Sequence, residues 1–71
     1  MSVFARQSYC VIPLRAGGWA VRRKYASQPK KIFPDKDAAI EGAKKLANSA
    51  GGRGRVIVYR IEGGIESELY G

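Results

Sequence analysis

The stretch 35–52, DKDAAIEGAKKLANSAGG, decides the fold, because its apolar residues recur at helical rather than strand spacing. Ala39, Ile40, Ala43, Leu46, Ala47 and Ala50 fall at i, i+1, i+4, i+7, i+8 and i+11, which gathers them into one stripe. Asp37, Glu41, Lys44, Lys45 and Asn48 take the opposite side. Asp35 suits the N-cap, where a carboxylate accepts from orphan amides of the first turn, and Asp37 puts negative charge where the helix dipole favours it. Gly51-Gly52 stops the run. Gly42 sits badly in this scheme: glycine costs about 1 kcal/mol relative to alanine in a helix interior, so close packing is the expected reason for it.

On the amino-terminal side, Lys30–Phe33 reads as a short strand that ends at Pro34, preceded by an ASQP loop and by a strand from Trp19 to Tyr25. Alternation places Trp19, Val21, Arg23 and Tyr25 on one face and Ala20, Arg22 and Lys24 on the other. Arg15-Ala16-Gly17-Gly18 is a hairpin turn, since paired glycines accept positive φ, and it leads back to a first strand, Ser8–Leu14. Pro13 confines that strand to an edge or places the proline at its end. Residues 1–7 are mixed in character and either fray or extend the first strand. On the other side, GGRG at 51–54 is a turn, Arg55–Ile61 (RVIVYRI) is the strongest strand signal, and Glu62-Gly63-Gly64 turns into a short acidic strand, Ile65–Tyr70.

The order β-β-β-α-β-β with short links predicts an α+β fold in which residues 8–71 form a single domain: a small antiparallel sheet with one amphipathic helix packed on one face. If Trp19, Val21, Phe33, Val56 and Val58 meet the helix stripe, the open face carries Ala20, Arg22, Lys24, Ile57 and Tyr59.

A chain of 71 residues makes one small core, worth roughly 3–5 kcal/mol, so help from a partner or a second copy is plausible. Thirteen Lys and Arg against six Asp and Glu leave a formal charge of +7, which points to an anionic partner: nucleic acid, an acidic protein or a lipid surface. The excess belongs to the amino-terminal half, because residues 1–34 contain seven bases and no acid. One cysteine excludes an internal disulfide, and the lack of histidine removes the commonest metal ligand and general base. No catalytic constellation, metal site or cofactor motif is found, and a non-enzymatic protein is expected. No apolar run approaches the roughly 20 residues needed to span a bilayer, and the start lacks a signal-peptide core, so the expected location is the cytoplasm, away from membranes.

From Tyr9 to Gly71 the chain resembles a short family of bacterial and phage proteins catalogued as a domain of unknown function. The shared pattern is GGWAV (Gly17, Gly18, Trp19, Ala20, Val21), then Phe33, Asp35, Lys36, Ala39, Ile40, Ala43, Lys44, Leu46 and Ala47, then the closing Tyr70-Gly71. These are mostly the core and turn positions derived above, so the resemblance implies a shared fold and no particular activity. From Trp19 to Leu46 the chain is more loosely similar to the DNA-binding domains of plant ethylene-response factors and phage integrase amino termini. That likeness implies a basic sheet reading DNA. The chain departs from it in having strands after the helix and Asp37 at a position usually held by Glu.

The candidate binding residues are Arg22, Arg23, Lys24, Lys30, Lys31 and Tyr59. The five bases on a β-ribbon can neutralise phosphates, or they can simply solvate a small domain. Tyr59, on the open face beside Arg22 and Lys24, suits nucleic-acid contact or a dimer seam equally, and Tyr25 is equally open. Trp19 could stack on a base, but its alternation with Val21 fits core packing better. Cys10 reads as a buried strand cysteine, and the GGRG segment as a helix stop and turn rather than a phosphate cradle, which precedes a helix. Two function classes follow: a nucleic-acid-binding module, DNA or RNA, contacting mainly phosphates; or a protein-interaction module, as a homodimer or a phage-type effector of an acidic host protein.

Overall fold

The computed structural model describes residues 8–48 and 54–70. Five strands and one helix follow in the expected order: β1 (Ser8–Pro13), β2 (Trp19–Arg23), β3 (Lys31–Phe33), α1 (Lys36–Asn48), β4 (Arg55–Tyr59) and β5 (Ile65–Tyr70). Residues 1–7, Ala50, the Gly51-Gly52 stop and Arg53 lie outside the described residues.

The strands form one sheet in the order β3-β2-β1-β4-β5, and the helix packs on one face, so the α+β class holds. Three of the four pairings are antiparallel, but β1 and β4 run parallel, Val11 beside Val58. The expectation of a wholly antiparallel sheet is corrected at this one pair. The cause is the connection: β3, α1 and β4 form a crossover that carries the chain over β2 and β1, and parallel neighbours need such a crossover. The near-continuous apolar runs YCVI and VIV fit two strands at the centre of a sheet better than at its edge.

Alternation then sets the core. Tyr9, Val11, Val21, Val56 and Val58 point to the helix and are buried, and Ala39, Ala43 and Ala47 meet them with their small side chains. Trp19, Phe33, Ile40, Leu46 and Leu69 pack around this centre, half-buried. Each fully buried valine contributes about 1.5–3 kcal/mol relative to exposure. Asp35 caps the helix as expected, its Oδ1 accepting from the Ala38 amide at 2.9 Å.

Two glycines explain how closely the layers approach. A Cβ on Gly42 would lie 2.4 Å from Phe33 Cζ, which supplies the packing reason for a glycine inside the helix. At Gly54 a Cβ would fall 2.0 Å from Ala47 Cβ and 2.6 Å from Ala47 Cα, so the entry to β4 can press on the helix backbone only without a side chain.

Candidate nucleic-acid interface

Two hairpins share one hydrogen-bond pattern. Leu14 N donates to Gly18 O and Gly17 N to Leu14 O; Arg60 N donates to Gly64 O and Gly63 N to Arg60 O. Gly17 and Gly63 take φ of 106° and 105°, the left-handed position that follows a type I turn in such hairpins.

The segment between β2 and β3 is built differently. Lys24 N still donates to Ser8 O at 2.8 Å, extending the β1–β2 ladder, but the chain then turns, with Ala26 N donating to Arg23 O at 3.0 Å. Tyr25 occupies the third position of this turn with φ 73°, where a type II turn ordinarily requires glycine or asparagine. The strand expected to run to Tyr25 therefore ends at Arg23, and Tyr25 leaves the helix-facing side to stand 90% exposed. Arg22 braces the turn, its Nη1 donating to Ala26 O at 2.7 Å. The loop returns through Lys30, whose amide donates to Val21 O at 2.7 Å, and enters β3 with Lys31 opposite Val21.

The six candidate residues do not share a face. Arg22 lies opposite Cys10 on the face away from the helix, and Tyr59 occupies the same face at the end of β4. Arg23, opposite Tyr9, and Lys31, opposite Val21, belong to the helix side. Lys24 and Lys30 flank the loop. The five bases still meet at one end of the β2–β3 pair, distributed over both faces and the β3 edge. Lys24 Nζ stands 5.4 Å from the Tyr25 ring centroid and Lys31 Nζ 5.3 Å from that of Phe33, within range of cation–π attraction. Trp19 packs against the core with Lys36 Nζ 5.8 Å from its ring, in keeping with a structural role.

Tyr59 lies beside Cys10 and within electrostatic reach of Arg22, but on β4 rather than on the β2–β3 pair. Burial pushes its phenol above the usual value; the neighbouring Cys10, which hydrogen-bonds it, adds to the shift, and Arg22 opposes it. Cys10 itself is buried, as expected, beside Ile57. Sequence reasoning passed over the singular geometry of Tyr25, because the alternation of apolar and basic residues continues through it. Among the described residues no cluster of three or more Cys, Asp or Glu could hold a metal ion, and no helix is long and apolar enough to cross a membrane.

A family model described as uncharacterised proteins conserved in bacteria, DUF2188, matches residues 9–69. The chain belongs to this family. No curated protein and no solved structure matches the chain. The DUF2188 match covers β2, β3, β4 and the helix entirely and all but one residue each of β1 and β5, and so includes both the core and the basic end of the β2–β3 pair.

Proposed function

We propose that this DUF2188 chain is a small non-enzymatic binding module of the cytoplasm that holds nucleic acid, DNA or RNA, mainly through its phosphates. The observation that carries this reading is the separation of charge across the sheet. Arg22, Arg23, Lys24, Lys30 and Lys31 collect at the β2–β3 end, from a half of the chain that has no acid. The acids of β5 lie at the other edge, where Glu66 pairs with Lys36 at 2.6 Å and Glu68 with Arg55 at 3.6 Å. A phosphate backbone passing the loop end of β3, where Lys30 and Lys31 lie, meets bases from both faces, while the acids nearest in sequence, Asp35 and Asp37, follow the other end of that strand. Fluorescence anisotropy with duplex and single-stranded DNA and RNA at low salt tests the proposal, with micromolar or tighter binding expected. Combined replacement of Arg22, Lys24 and Lys31 by Ala should reduce the slope of log K against log salt by about 2. Absence of binding at low salt would overturn the reading.

A second reading rests on a different observation. Ile32, Ala20 and Ile12 are successive neighbours on the open face, and Tyr59 pairs with Ile65 on β4 and β5, with Ile32 57% and Ile65 49% exposed. An apolar row of this kind suits a homodimer seam. Sedimentation equilibrium decides it: a dimer that Ile32→Lys dissociates supports the seam, and a monomer at all concentrations removes it.

A further inference from the structure

The geometry of the β2–β3 loop points to a more specific ligand: we infer that Tyr25 is a stacking platform for an unpaired base, so that the nucleic acid held here is single-stranded. The inference rests on the phosphate-binding reading above and adds the part of the ligand that phosphates do not define.

Three features of Tyr25 support it. Its ring is 90% exposed, although tyrosine ordinarily buries much of its ring against a core or an interface. Its backbone holds φ 73° in a turn that glycine would fill without strain, and such outliers concentrate at ligand-binding positions. The strained turn is fixed from two sides, by Ala26 N on Arg23 O and by Arg22 Nη1 on Ala26 O, so the ring is presented on a braced support. Lys24 Nζ lies 5.4 Å from the ring centroid, and Arg23, Lys30 and Lys31 flank the loop, so a base resting on the ring has cations within reach of its neighbouring phosphates.

Strandedness follows from the ring. In a duplex both faces of each base are covered by neighbours, and a side chain that wedges between them must first unstack the step. An unpaired base offers its face freely, and stacking on an aromatic side chain tolerates any base. Tyr25 therefore favours single strands without reading sequence.

The test compares anisotropy titrations of a labelled ten-nucleotide oligothymidine and a duplex hairpin of equal phosphate number against wild type, Tyr25→Ala and Tyr25→Phe. Wild type should prefer the single strand. Tyr25→Ala should weaken oligothymidine binding by roughly fivefold to 150-fold, leave the duplex affinity and both salt slopes unchanged, and Tyr25→Phe should retain the wild-type affinity. Because Tyr25 touches no core residue, these variants keep the fold, which circular dichroism verifies. Unchanged oligothymidine affinity in Tyr25→Ala, while the Arg22, Lys24 and Lys31 replacement still lowers it, overturns the stacking role alone. No binding of either oligonucleotide by wild type overturns the phosphate reading and this one together.

Discussion

The β4–β5 hairpin and the β2–β3 loop lie at opposite ends of the same sheet and handle backbone and charge in opposite ways. In the hairpin, Gly63 takes the left-handed position without strain, and Glu66 and Glu68 are engaged by Lys36 and Arg55 of the same chain. At the loop, a tyrosine occupies the left-handed position, and the surrounding bases come from a segment with no acid. One end satisfies itself. The other holds a tyrosine in a strained turn among clustered bases, and this contrast, more than the net charge of +7, is what supports the loop as the proposed binding end.

The largest expected effect tests the frame that both ends share. Gly54→Ala drives a methyl group into the Ala47 backbone and should destabilise the protein by about 3 kcal/mol, seen as a lowered urea midpoint. A midpoint within error of wild type would mean that β4 and α1 do not approach as described. Next comes a pair of opposite sign: Gly63→Ala should lower stability by about 1–2 kcal/mol, whereas Tyr25→Gly should raise it by up to about 1 kcal/mol. Equal signs would erase the distinction between the two turns. Glu66→Gln removes an exposed ion pair and should shift stability by only about 0.2–1 kcal/mol, less at high salt.

The smallest effect is spectroscopic. Because the folded Tyr59 phenol titrates above its usual value, its contribution to stability is complete below pH of about 10 and is lost as pH rises through the folded value. Difference absorbance between wild type and Tyr59→Phe should show a phenol ionising later than free tyrosine. Arg22→Ala, which removes a cation that opposes the shift, should delay it further, and no delay would detach Arg22 from the Tyr59 cluster.

Much of the architecture was legible in local chemistry. The helix stripe, the Asp35 cap, the glycine turns and the two faces of the sheet follow from spacing and from φ requirements, and the helix face of Trp19, Val21, Phe33, Val56 and Val58 was assigned as observed. The parallel β1–β4 pair was not legible, because alternation says which way a side chain points but not which strand lies beside it. The reason for Gly42 required Phe33, a contact set by tertiary packing. The strand expected over Arg55–Ile61 ends at Tyr59 because Arg60 already opens the turn, leaving Ile61 exposed. In the candidate site, the basic residues were visible as a run, but their division between two faces and the turn at Tyr25 depend on β2 stopping at Arg23.

The parallel pairing also bears on how the molecule is made. On a ribosome, β1, β2, β3 and α1 emerge first, but β1 lacks its second neighbour until β4 leaves the tunnel, since residues 11 and 58 must lie side by side. Until then the central strand of the finished sheet is a bare edge, open to pairing with another nascent chain. Completion of the core is thus tied to the synthesis of β4, and a product truncated before Arg55 would carry an unprotected strand in place of a finished fold.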